Sequence, residues 1–282
     1  MNLPYRGAEP GSTGDLVGTV FPLIFWVSPR GASWSPLDKS CAERNLRQGH
    51  QWLELQAKRW GNSVRILPGR SLGRERDIQL PRVPGGYGSQ EEALEWMRDL
   101  TSYCGLGTPG QLYDRILRQY PSCDRVHATV MVNRAGRSYA LCSPGDPCAD
   151  SMLAAAINYR PTVSGTISWR TIAHEVLHLY GAWDLYPTDC VSTEQADHAR
   201  RIFPRDIMGS VPLGVSPVVG GLTAWRVGWS AQAQPWFAFF EPKSIHRTHE
   251  AWETPATPPP SNFRIWIDRM RSWAHRSKGT EH

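Results

Sequence analysis

The stretch that decides the reading is Thr171-Ile172-Ala173-His174-Glu175-Val176-Leu177-His178-Leu179-Tyr180-Gly181-Ala182-Trp183-Asp184-Leu185-Tyr186. It contains the pattern H-E-x-x-H. On an α-helix, positions four apart lie about 40° apart around the axis and one turn along it, so the imidazoles of His174 and His178 point the same way and can meet one ion. Ile172, Val176, Leu177 and Leu179 cover other faces, which suits a helix embedded in a core. Glu175 is then placed to take a proton from a water beside that ion. The blander use of the two histidines is as partly buried structural side chains, and that of Glu175 is as a solvated helix acid.

The residues after the helix add to the pattern. Gly181 lies three past His178, where a residue able to take positive φ ends a helix and turns the chain. Asp184 lies three further on, so the returning segment can bring a carboxylate to the same ion, although a turn cap is its ordinary alternative. Three protein ligands, His174, His178 and Asp184, leave the fourth tetrahedral position to water, the coordination of a catalytic Zn2+. His198, Glu194 and Asp189 compete as third ligand, but each needs a longer excursion, and none has a turn residue placed as Gly181 is.

On these residues the chain resembles the metzincin clan of zinc peptidases, in the H-E-x-x-H-x-x-G-x-x-D form of its snapalysin-like members. Asp206-Ile207-Met208-Gly209-Ser210 resembles the clan's Met-turn, which implies that Met208 lies under the metal. The resemblance implies a zinc-dependent metalloendopeptidase that uses one catalytic Zn2+, with Glu175 as general base toward a protein or peptide substrate. It also implies an α+β fold, α/β-like in its N-terminal part, with a twisted mixed sheet and long helices that include the active-site helix. Two departures matter. Asp184 replaces the commoner histidine, and neither Ser210 nor Val211 supplies the tyrosine that follows the methionine in the clan. For the oxyanion, Tyr186 is the first candidate, with Tyr180 and Arg205 behind it.

Upstream, Val20-Phe21-Pro22-Leu23-Ile24-Phe25-Trp26-Val27 reads as a buried strand ended by Ser28-Pro29-Arg30-Gly31. Ser35-Pro36-Leu37-Asp38 starts a helix with a capping hydroxyl and a proline in the first turn, and Gly61-Asn62 stops it. Val64 to Leu67 follows as a second strand, an order that favours parallel pairing. Residues 68–88 read as a surface excursion. Helices are expected over Glu91 to Tyr103 and Gln111 to Gln119. Val126 to Val132 and Ser138 to Cys142 read as two strands joined by a short turn, either of which could receive a substrate strand.

This gives a flexible N-terminus at 1–14, a zinc peptidase domain at 15–245, and a Pro-rich linker with a C-terminal helix at 246–282. That helix carries Phe263, Trp266, Ile267, Met270 and Trp273 on one face.

Composition bounds the alternatives. With 282 residues, 40% hydrophobic and 20% charged, the chain can bury a sizeable core. The net charge of +5 suggests a nucleic acid only weakly, because basic residues are scattered among acids; no nucleic-acid partner is expected, and the oligomeric state is expected to be monomeric. No run reaches the roughly 20 apolar residues of a membrane span, and the N-terminal segment lacks a basic leader, so a cytoplasmic protein or export by a leaderless route is expected. The six cysteines form no C-x-x-C pair and are expected as thiols, with one possible bridge between Cys142 and Cys148. A zinc hydrolase of a non-peptide amide and a non-catalytic zinc-binding or toxin-like module are the alternative functions.

Overall fold

The computed structural model of the protein describes residues 14–83, 90–141, 154–161 and 165–242. The contacts divide the chain into a larger unit, Tyr5–Trp183 with Val218–Gln232, and a smaller one that contains Asp184–Pro217 and the chain from Ala233.

The larger unit is built on a mixed seven-stranded sheet. β1 (Gly18–Pro29) runs through it, with parallel β5 (Arg125–Ala135) on one side. On its other side β1 is paired in succession by β2 (Val64–Ile66), β3 (Arg70–Leu72) and β4 (Ile78–Leu80), all parallel. β5 continues to parallel β7 (Ala155–Arg160), and β7 to antiparallel β6 (Tyr139–Leu141). The path is β2-β1-β5-β7-β6. Val20 to Ser28 are all buried, as expected of a strand covered on both faces, which needs a continuous apolar run rather than alternation.

One face of the sheet carries the main core. Phe21, Leu23, Phe25 and Val27 of β1 meet Val126, Ala128 and Val130 of β5, together with Trp96, Met97 and Leu100 of α2 (Gln90–Tyr103) and Leu112 and Ile116 of α3 (Pro109–Gln119). The intervening strand residues, among them Ile24, Trp26, His127, Thr129 and Asn158, point to the opposite face. That face is covered by α1 (Pro36–Arg59) and α4 (Trp169–His178).

The cap of α1 is as expected: Ser35 accepts from the Asp38 amide, with Pro36 in the first turn. Its buried residues Ala42, Leu46, Gly49, His50, Leu53 and Ala57 keep helical spacing and form one stripe. Gly49 lets α4 come close, because a Cβ there would lie 3.1 Å from the Trp169 carbonyl oxygen and 3.5 Å from Ile172. Asn45 Nδ2 donates to the Ile167 carbonyl at 2.8 Å, which fixes the entry to α4 against α1.

The smaller unit contains α5 (Thr193–Ile202) and a 3-10 turn, Pro235–Phe240. Ser192 and Gln195 form a reciprocal capping box, and Gln195 Nε2 also donates to the Phe239 carbonyl at 2.7 Å, so the turn is tied to the helix start.

The mixed α+β architecture and the parallel β1-β2 pair follow the sequence reading. Two local expectations are corrected. Residues 68–88 are not wholly an excursion, since β3 and β4 extend the sheet along β1. β5 and β6 do not form a hairpin, because β7 lies between them and pairs with both. Val126 to Val132 has strands on each side and is closed to a substrate strand, whereas β6, among the described residues, is paired on one side alone. Cys41, Cys104, Cys123 and Cys190 are thiols. Residues 1–13, Cys142, Cys148 and the 246–282 extension lie outside the described residues, and no helix that is described is long and apolar enough to cross a membrane.

Candidate metal centre

α4 is a short helix made stiff by its surroundings. Ser168 caps it by accepting from the Arg170 amide, and Ile172, Ala173, Val176 and Leu177 are fully buried. With four positions in the core, the remaining stripe presents His174 and His178. Their Nε2 atoms are 3.1 Å apart, with ring centroids separated by 4.7 Å and planes at 86°.

The tautomer of His178 follows from its other nitrogen. Nδ1 lies 2.8 Å from the Ala182 carbonyl oxygen, and a carbonyl only accepts, so Nδ1 carries the proton and, in the neutral ring, Nε2 presents the lone pair. A backbone carbonyl behind a ligating imidazole is the usual way to fix its tautomer and orientation.

The turn after α4 brings the carboxylate round. The Gly181 amide donates to the His178 carbonyl at 2.9 Å and the Ala182 amide to the Leu177 carbonyl at 3.2 Å, the paired bonds of a Schellman motif with Gly181 at the left-handed position, φ +91°. Arg226, at the end of α6 (Gly221–Arg226), is 4% exposed; its Nε donates to the Gly181 carbonyl at 2.7 Å and its guanidinium lies 4.2 Å from the Trp183 ring centroid. The turn is therefore held from behind by hydrogen bonding and by a cation–π contact. Replacing Gly181 by Ala is expected to lower stability by about 1–2 kcal/mol, the cost of a Cβ in a left-handed conformation, and to weaken zinc uptake; unchanged urea unfolding and zinc titration would refute the role given to this turn.

Three residues past Gly181 stands Asp184. Its carboxylate joins His174 and His178 in a group whose ligand atoms all lie within 4.8 Å of one another, and this is the one such group of His, Cys, Asp and Glu among the described residues. Tetrahedral ligands at about 2.1 Å from one ion are separated by roughly 3.4 Å, so the Nε2 pair already stands near that spacing. Two imidazoles and one carboxylate are also a donor set that suits zinc. The residues fit the ion the sequence implies. Glu175, on the same helix, is 6% exposed.

Past Asp184 the chain is held by the turn that contains Met208. The Met208 amide donates to Asp206 Oδ1 at 2.9 Å and the Gly209 amide to the Asp206 carbonyl at 2.9 Å, while the Leu185 amide donates to the Met208 carbonyl at 2.8 Å. A tight turn is thus formed where the sequence places one, with Met208 fully buried, and it anchors the residue next to Asp184.

The other candidates separate. Tyr180 is 1% exposed and its hydroxyl lies 2.8 Å from His127 Nδ1, so it is engaged beneath the sheet rather than available to an oxyanion. Arg205 donates through Nε and a terminal nitrogen to the Ser216 carbonyl. Tyr186 is half-buried and lines a small cavity with Leu185, Ala196, Phe203 and Gly209. His198 sits on α5 against Phe239, its Nδ1 3.0 Å from the Glu194 carbonyl; His198, Glu194 and Asp189 are not in the metal-competent group. Arg226 was not singled out by sequence reasoning. The signal available was a lone arginine inside the aromatic run Leu222-Thr223-Ala224-Trp225-Arg226-Val227-Gly228-Trp229. No model of a known protein family matches the sequence, and no curated protein matches it at a significant level.

Proposed function

We propose that the protein is a zinc-dependent metalloendopeptidase of metzincin type, with His174, His178 and Asp184 as the zinc ligands, Glu175 as general base and Met208 in the supporting turn. The observation that carries the reading is that two imidazoles on the helix that also carries Glu175, and one carboxylate from beyond the turn that follows it, bring their ligand atoms within 4.8 Å of one another. Zinc bound there would polarise a scissile carbonyl and make a neighbouring water more acidic.

The chain's own groups supply the rest. His178 is held as the Nδ1–H tautomer by Ala182, so its Nε2 is ready as a ligand without a prior proton shift. The Glu175 carboxylate accepts the proton of the attacking water and delivers it to the leaving amine nitrogen, the two transfers that amide hydrolysis requires. Burial of Glu175 keeps bulk water from competing for that proton. Tyr186 is the remaining candidate to donate to the developing oxyanion. An extended substrate pairs with β6, an edge strand of the sheet among the described residues, by β-augmentation.

The test is zinc titration of the purified protein, followed by cleavage of a peptide library with and without a chelator. One zinc per chain is expected, with endoproteolysis lost on chelation and restored by added zinc. Failure to take up a transition metal would overturn the proposal; zinc uptake without cleavage of any peptide would assign the site to a structural ion or to another amide.

A further inference from the structure

A second recognition feature lies on the larger unit, along α1, and owes nothing to the metal ligands. A cavity of about 460 Å³ opens between α1 and the strands β1 to β3. Its apolar wall includes Ile24, Leu46, Ile66, Leu67 and Pro68. Through Gln51 and Glu54, which line both, it continues into an open groove of about 880 Å³ that reaches Leu55, Lys58 and Arg65.

The charges along this path are unequally committed. Of its acids, Glu43 pairs with Arg74 at 2.6 Å, and Glu54 accepts the outward-facing amide of Ile66 at 2.7 Å. The cations Arg47, Lys58 and Arg65 are exposed and have no ion-pair partner among the described residues. At the inner end stands His50, 8% exposed, with a buried Nε2 that has no hydrogen-bond partner. An orphaned polar atom in the wall of a cavity is a group for which a ligand can supply the missing partner.

We propose that this groove is a docking site for an acidic, extended peptide segment of another protein, which seats an aliphatic side chain in the cavity and sets its carboxylates against Arg47, Lys58 and Arg65. An apolar floor whose uncommitted rim charges, Arg47, Lys58 and Arg65, are all positive fits such a segment by charge and shape. Single-stranded nucleic acid fits less well, because it needs exposed aromatic faces for stacking, and the two aromatic rings of the cavity wall, Trp26 and His50, are both buried, with Trp26 Nε1 bound to Ser71. The chain's own C-terminal region, residues 243–282, carries more Lys and Arg than Asp and Glu, so the occupant that charge favours comes from a different molecule.

The test is fluorescence anisotropy with the full-length protein and short labelled peptides that alternate Glu with Leu or Lys with Leu. The acidic peptide is expected to bind, and to bind less tightly as salt rises. The double variant Arg47→Glu/Arg65→Glu is expected to weaken it by about tenfold or more. A control pair, Arg98→Glu/Arg118→Glu, makes the same change in net charge at exposed sites on α2 and α3, which pack on the other face of the sheet, and should leave binding unaltered. Equal binding of the two peptides, equal losses in the two double variants, or tighter binding of single-stranded RNA with the same loss at Arg47 and Arg65 would overturn the proposal. Binding is the readout, so the result stands apart from whether the metal centre cleaves peptides.

Discussion

Replacing Glu175 by Gln is expected to lower peptide hydrolysis by about a hundred- to ten-thousandfold, the usual range for loss of a positioned general base, while zinc content stays at the wild-type level. The substitution is close to isosteric, Gln is as good a helix former as Glu, and α4 is held by its fully buried Ile172, Ala173, Val176 and Leu177, so the fold should persist. The groups that would hold the ion, His174, His178 and Asp184, are untouched. What the variant lacks is a carboxylate able to accept a proton from water and return it to the amine. The loss should therefore fall on kcat, with KM little changed, because the interaction is made during the chemical step rather than in substrate binding. Metal analysis and steady-state kinetics on the same preparations provide the check. Equal cleavage by the two proteins would remove Glu175 from the mechanism. Loss of zinc together with activity would make it a ligand or a support for one.

The parts of the fold that were legible in the sequence are those whose information is local. The helix at Pro36 is announced by Ser35 and Asp38 within one turn, and the His174, His178 and Gly181 geometry follows from helical periodicity and one left-handed residue. Asp184 needed only a short return of the chain. What escaped was set at a distance. β7 reads Ala155-Ala156-Ile157-Asn158-Tyr159-Arg160, a run poor in β-branched residues; it is a strand because β5 and β6 pair with it on either side. β3 and β4 lie in a segment rich in Gly, Pro and Arg, and are ordered by main-chain pairing to the long β1 rather than by their side chains. The expected hairpin of β5 and β6 failed for the same reason, since nothing in the turn between two strands states whether a third will insert. Arg226 is joined to Gly181 across 45 positions of sequence, beyond the reach of any spacing argument.

The same non-local packing produces the second large expected effect, a loss of stability in mild acid that begins before carboxylates titrate. His50 of α1 and His127 of β5 face each other beneath the sheet, with ring centroids 6.3 Å apart. Burial lowers the pKa of His50 from 6.5 to about 4; burial, and then the neighbouring His50, lower that of His127 to about 3. His127 Nδ1 lies 2.8 Å from the Tyr180 hydroxyl, and the acids that line the cavity with His50, Glu43 and Glu54, are engaged by Arg74 and by the Ile66 amide. Among the described residues no carboxylate raises the pKa of either ring.

The sign is fixed by the direction of the shifts. Well above pH 6.5 both rings are neutral in the folded and unfolded chain, and neither makes stability depend on pH. As pH falls below 6.5 the unfolded chain binds protons that the folded one excludes, so stability drops by about 1.4 kcal/mol per unit for each histidine until the folded values near 4 and 3 are reached. At pH 5 the two together remove about 4 kcal/mol, a large share of the roughly 5–15 kcal/mol that holds a domain folded. Urea unfolding at pH 7, 6 and 5 measures the slope directly. The double variant His50→Gln/His127→Gln removes both titrating rings, so whatever its stability at pH 7, its dependence on pH over this window should be much flatter than that of the wild type. If the two slopes coincide, the acid sensitivity resides elsewhere in the chain.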